Sequence, residues 1–110
     1  MKPIFVVLMF AAILSYGMTS FAAGNAAAGK DVFNKKCASC HGQTGQGNDT
    51  IAKMLKVDLR PLGSKEVQAK SDADMKKYIL EGNGKMKPVQ DVDAKQADDV
   101  IAFVRTLAKK

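Results

Sequence analysis

Both cysteines and the only histidine of this 110-residue chain fall within five consecutive residues, Cys37-Ala38-Ser39-Cys40-His41. That concentration constrains the chain more than any other feature. Two Cys cannot build a disulfide-dense scaffold, and one His excludes any site that needs two imidazoles. Together they fall one donor short of a four-ligand Cys/His zinc site. Random placement of two Cys and one His gives a C-x-x-C-H string roughly once in 6,000 trials, so the spacing asks for a chemical reason.

The first residues read as an export signal. Met1-Lys2 is a short positive end, Ile4 to Leu14 is an unbroken apolar run of eleven, and Ser20-Phe21-Ala22 places small residues where a signal peptidase cuts. Residues 1–22 are therefore expected to be a secretory signal peptide and residues 23–110 a single domain, with the periplasm as destination. Eleven apolar residues are too few for the about 20 that span a bilayer. Membrane attachment is expected only if the wider stretch from Ile4 to Ala23 stays uncleaved. Cleavage leaves 88 residues and, with Lys2 gone, turns the net charge from +6 to +5. A chain this short buries only about 60–65% of its unfolded surface, so its core needs a disulfide, a metal or a cofactor. In an oxidising compartment Cys37 and Cys40 are the only candidates for a disulfide. With 46% apolar and 25% charged residues, wholesale disorder is excluded.

Apolar spacing is helical throughout and no alternating strand stands out. A first helix is expected from about Ala26 to Ala38, followed by a loop from Gly42 to Gly47. Short helices are expected over Ile51 to Lys56 and from an N-cap at Ser64 through Gln68. Ser71-Asp72-Ala73-Asp74 opens a helix with Met75, Tyr78 and Ile79 on one face, and Gly82 closes it. Asn83 to Pro88 is irregular. The last helix opens at Asp93, where Gln96 completes a capping box, and carries the stripe Ala97, Val100, Ile101, Val104 and Leu107 toward Lys109-Lys110. The expected fold is all-α: three main helices and two short ones.

C-x-x-C-H is the signature of covalent c-type haem attachment. Side chains three apart on a helix share a face at about 5–6 Å, so two thiols can reach two vinyl groups on one porphyrin edge while the adjacent imidazole turns to the iron. The alternatives are weaker. Zinc would need a fourth, carboxylate ligand; a redox C-x-x-C belongs after a strand; a plain disulfide leaves the adjoining His unexplained. Cys37, Cys40 and His41 are therefore expected to bind one haem c. With no second His, Met is the natural ligand for the other axial position, and it raises the reduction potential. After cleavage three Met remain. Met75 lies in a helix beside Ile79 and reads as core, and Met54 beside Leu55 reads as core or haem-edge packing. Met86 stands in a loop with no apolar periodicity.

Cys37 to His41 near the mature N-terminus, the Gly84-Lys85-Met86 loop and the closing amphipathic helix resemble a class I monohaem c-type cytochrome over nearly all of residues 24 to 108. The resemblance implies a small cytochrome c fold around one covalently bound haem, with Met86 as the distal iron ligand opposite His41. It departs from the family in one place: Lys87 intervenes between Met86 and Pro88, where the family more often has Pro directly. It also implies a close crossing of the first and last helices through Gly29, Phe33 and Phe103. A glycine inside a helix costs about 0.5–1 kcal/mol relative to Ala, which close approach would offset. A backbone carbonyl is expected to accept the imidazole N–H, Pro61 being the nearest match, with Leu55, Leu59 and Leu62 against the haem.

With both axial positions filled, the iron has no site for oxygen or peroxide, so the expectation is a soluble one-electron carrier rather than an enzyme. The alternative is a five-coordinate haem enzyme or gas-binding sensor with Met86 unbound, although no acid or base beside the iron can be named for it. Lys35, Lys36, Lys53, Lys56, Lys85 and Lys87 would ring the haem edge and steer a monomer to redox-partner proteins with acidic docking patches. Two Arg and no aromatic-basic cluster exclude nucleic acid.

Overall fold

In the computed structural model, residues 24–108 form six helices: α1 (Ala26–Lys36), α2 (Ala38–His41), α3 (Asp49–Leu55), α4 (Lys65–Gln68), α5 (Asp72–Glu81) and α6 (Ala94–Thr106). The signal-peptide reading and the dipole role of Lys109-Lys110 lie outside these described residues. Three main helices are present as expected, with three short ones instead of two. The extra one arises at the motif: α1 stops at Lys36, and Cys37 (φ −120°, ψ −30°) ends α1 and starts α2. The expected run to Ala38 thus ends two residues early, and Cys37–His41 occupies a turn of its own.

Most boundaries follow local chemistry. Asn25, Asn48, Ser64, Ser71 and Asp93 each accept a backbone N–H from the first turn of the helix they precede. Asp93 and Gln96 form the reciprocal capping box, Gln96 Oε1 accepting from Asp93 N–H at 3.1 Å and Asp93 Oδ1 from Gln96 N–H at 2.8 Å. Gly82, at φ +89°, ends α5. Among the described residues the only β-type pairing is one bridge, Asn83 with Met86.

The core lies between α1, α5 and α6 and is built from Phe33, Met75, Ile79, Ala97, Val100, Ile101, Phe103 and Val104. Met75 is buried as expected. Phe33 and Phe103 meet with ring centroids 5.1 Å apart at 56°, a tilted contact favoured by the ring quadrupoles. Gly29 lets α1 and α6 touch. A Cβ there would lie 1.8 Å from the Asp99 carbonyl oxygen and 2.8 Å from Val100 N. The crossing is real, but Gly29 faces α6 backbone, while the aromatic contact belongs to Phe33.

Two polar side chains of α6 complete the frame. Asp99, only 4% exposed, accepts the Asn25 N–H at 2.8 Å and is paired with Lys95 at 2.8 Å, one turn earlier. These two hydrogen bonds, Lys95 first, hold its carboxyl below the ordinary 3.8. Arg105 spreads its guanidinium over the α4–α5 junction, donating to the carbonyls of Gln68 and Lys70 at 2.8 Å each and to Asp72 Oδ1 at 2.6 Å. Gln68 in turn donates to the Leu62 and Val104 carbonyls at 2.9 and 3.0 Å.

Candidate functional site

The last four carbonyls of a helix have no intrahelical partner. In α2 all four find one in the following loop. Ala38 O accepts from Gly42 N at 2.7 Å, Ser39 O from Asn48 Nδ2 at 3.3 Å, Cys40 O from Asn48 N at 2.9 Å and His41 O from Gly47 N at 2.6 Å. Asn48 also caps α3, its Oδ1 accepting from Ile51 N at 3.2 Å. One side chain therefore locks the motif turn to the next helix. The loop folds beneath Leu62 and Leu107 because Gly45 (φ +73°) leaves them room; a Cβ there would meet Leu107 Cδ1 at 2.9 Å. Leu62 N–H then donates to the Gly45 carbonyl at 2.8 Å.

On this turn Cys37 and Cys40 are half-buried free thiols. Burial, then the neighbouring Cys40, pushes the Cys37 thiol up to about 11, so it is protonated at neutral pH. His41 is also half-buried, and burial pushes its pKa down, which keeps the imidazole neutral with a lone pair available. Its Nδ1 is buried without a hydrogen-bond partner. A buried polar atom left unpaired costs about 1–3 kcal/mol, which marks the ring as built for something besides packing. The expected bond from this imidazole to the Pro61 carbonyl is not formed. Pro61 closes a local turn instead, accepting from Ser64 N at 3.0 Å.

Among the described residues no three His, Cys, Asp or Glu side chains gather to hold a metal ion directly. The donor set is thus two thiols and a neutral imidazole on one turn, with no carboxylate to complete a zinc site. That set fits haem c.

Met86 lies on a different segment. Asn83-Gly84-Lys85-Met86 is a two-residue hairpin turn: Asn83 N donates to Met86 O at 2.8 Å and Met86 N to Asn83 O at 3.0 Å. Gly84 supplies the positive φ, +61°, that such a turn needs. Both backbone polar groups of Met86 are thereby satisfied, and its side chain is half-buried against the core cluster. Val89 N–H bonded to Ile79 O at 2.9 Å returns the loop to α5. Two further contacts tie this loop to the motif side of the molecule. Lys85 Nζ donates to the Leu55 carbonyl at 2.8 Å, and Lys36, beside Cys37, lies 3.7 Å from Asp91 Oδ2. Of the other expected contacts, Leu62 packs on the core. Leu59 lies against Gly47. Met54 and Leu55 are exposed, at 65% and 37%, so Met54 is not core.

The Asn48 and Lys85 contacts differ in how far the sequence signals them. Asn48 carried one usable signal, an Asn just before an amphipathic run; the Lys85 contact spans 30 residues and has none.

An all-helical domain with this thiol–imidazole turn defines a c-type cytochrome. Residues 24–104 match the family described as cytochrome c oxidase, cbb3-type, subunit III. The chain is 33% identical over 90 residues to cytochrome c-554(547) of Halothiobacillus neapolitanus, covering 77% of this chain and 99% of that relative. Among solved structures it is similar to KustC0563 c-type cytochrome, with a TM-score of 0.64 and 26% identity over 74% of this chain and 98% of the other. Cytochrome cL from Hyphomicrobium denitrificans shares the fold, with a TM-score of 0.58 and 24% identity over 76% of this chain and 48% of that one. The chain belongs to this family of c-type cytochromes, which are electron-transfer proteins, and it carries covalently bound haem c. No described helix is long and apolar enough to cross a membrane.

Proposed function

We propose that this cytochrome is a monomeric one-electron carrier working outside the cytoplasm, after removal of residues 1–22. Its haem would be held by Cys37 and Cys40 through thioethers and by His41 and Met86 as ligands to the iron. The observation that carries this reading is the state of Met86: outside any helix, half-buried, and hydrogen-bonded at both backbone groups. A half-buried methionine in a loop without apolar periodicity is accounted for by a partner that its side chain serves. Bound haem supplies an iron that changes oxidation state by one electron.

Every other part of the work belongs to the chain. His41 offers a neutral imidazole on a turn whose carbonyls are all bonded, a rigid mount for an iron ligand. Met86 would be the second protein ligand to the iron, and an iron held by both would leave no site for a substrate, which favours a carrier over an enzyme. Lys35, Lys36, Lys53, Lys56, Lys85 and Lys87 are all exposed. The Lys85–Leu55 and Lys36–Asp91 contacts bring their segments together. A basic surface of this kind steers redox-partner proteins that present acidic patches, and the encounter rate should fall with salt.

The test is export of the protein through a host that matures c-type cytochromes. One haem should resist acid–acetone extraction and map by mass spectrometry to the peptide holding Cys37 and Cys40. The ferric protein should show the weak far-red sulfur-to-iron band, and Met86→Ala should abolish it. Retention of that band in Met86→Ala would remove Met86 from the assignment, and covalent haem in the double variant Cys37→Ser/Cys40→Ser would overturn it altogether.

A further inference from the structure

The Leu55 carbonyl ends α3, where the helix has no N–H left to bond it. Lys56 closes α3 in the left-handed conformation, φ +57°, and sends its N–H back to Ala52 and Lys53. Val57 N–H also returns to Ala52. The Leu55 carbonyl is thus bypassed by the local backbone and stands at the negative end of the helix dipole. Lys85, 30 residues away, places its ammonium on that oxygen at 2.8 Å. Its own neighbour in the chain is Met86, whose backbone is fixed only to Asn83, within the same four-residue turn.

From this geometry we infer that Lys85 is a positioning residue, a latch that holds the Met86 hairpin closed against α3 and so keeps the Met86 thioether at its post. The hairpin's internal bonds fix its shape but not its place. Val89 N–H on Ile79 O anchors the far side of the loop to α5. The other tie, Lys36 with Asp91, is 3.7 Å long, and the Asp91 side chain is 86% exposed, so it contributes little. On the α3 side Lys85 is the tie, and it is placed one residue from the group it positions. The function of the latch rests on Met86 being the axial ligand; its existence as a clasp does not.

Two readouts on the haem-loaded protein separate those statements. Amide hydrogen exchange of Val89, whose N–H bonds the Ile79 carbonyl outside the hairpin, reports lifting of the loop, whatever Met86 binds. The limiting rate at which added imidazole binds the ferric protein reports release of the axial ligand. An exposed ammonium on a helix-end carbonyl is expected to change each by about fivefold. Lys85→Ala should speed both by that factor, Lys85→Arg should restore both, and Lys87→Ala, which removes a charge from the other side of Met86, should change neither by more than about twofold. Unchanged exchange in Lys85→Ala, or equal effects in Lys87→Ala, would overturn the latch. If exchange quickens in Lys85→Ala while Met86→Ala takes up imidazole no faster than the parent protein, the clasp stands and the ligand assignment fails.

Discussion

Gly29→Ala puts a number on the α1–α6 crossing. In an exposed helix this change is stabilising by about 0.5–1 kcal/mol, because alanine loses less backbone freedom on folding. Here the new methyl would lie 1.8 Å from the Asp99 carbonyl oxygen and 2.3 Å from its carbon. Both are helix backbone, so no side chain can swing aside. Ordinary contact begins near 3.4 Å, so the helices must part by about 1.6 Å at this point. A radial gap of 0.5–1 Å already forfeits roughly a quarter to a half of a contact's dispersion energy. The residues that would lose contact are the best buried in the protein: Phe33 at 1%, Ala97 at 0% and Val100 at 2% exposure. Net of the propensity gain, we expect a loss of about 2–4 kcal/mol, a large part of the 5–15 kcal/mol that holds a typical domain together. Thermal and denaturant unfolding of the haem-loaded protein should show it as a fall in Tm of roughly 10–30 °C. Ala27→Gly, on the exposed side of the same helix, calibrates the propensity and should cost only about 0.5–1 kcal/mol. A Gly29→Ala protein as stable as the parent, or more so, would refute the close crossing.

Asp99 makes stability depend on acid. Its folded pKa lies below its ordinary 3.8, so folding favours the ionised form. Its contribution is complete above about pH 5, and is lost as the pH falls through 3.8 and on through the lower folded-state value. Asp99→Asn should cost about 1–2 kcal/mol at pH 7, and stability measured from pH 7 to 2 should show that difference shrinking as acid protonates the parent. Asn48→Ala removes the α3 cap and one bond to α2, at a cost of about 1–2 kcal/mol by denaturant unfolding. Asn48→Asp keeps the cap but not the Nδ2 donor, and should recover only part of that loss.

Elements whose signals are local were readable from sequence. Ser71, Gly82, Asp93 with Gln96, and the apolar stripe of α6 are adjacent in the chain, and each does what its chemistry suggests. The candidate site stands out in the sequence for a related reason: Cys37, Cys40 and His41 are three rare residues in five positions. What was hidden depends on distance in the chain. Nothing in the sequence marks Asp99 for burial, yet it is buried where α1 presents the Asn25 N–H to it from 74 residues away. Arg105 and Gln68 look like surface residues until α6 lies across the α4–α5 junction. The break at Cys37 was missed because the apolar period runs on across it. The family likeness pairs Pro61 with the imidazole, whereas the bond its carbonyl makes here is from the Ser64 N–H three residues on.

Whether His41 and Met86 both bind the haem iron separates a closed electron carrier from an open-site protein. Mixing the ferrous protein with carbon monoxide at neutral pH reads that in one step. Filled by His41 and Met86, the parent spectrum should stay unchanged over minutes, while Met86→Ala should bind the gas at once. Immediate binding by the parent protein would contradict a closed electron carrier and point to an open-site enzyme or sensor.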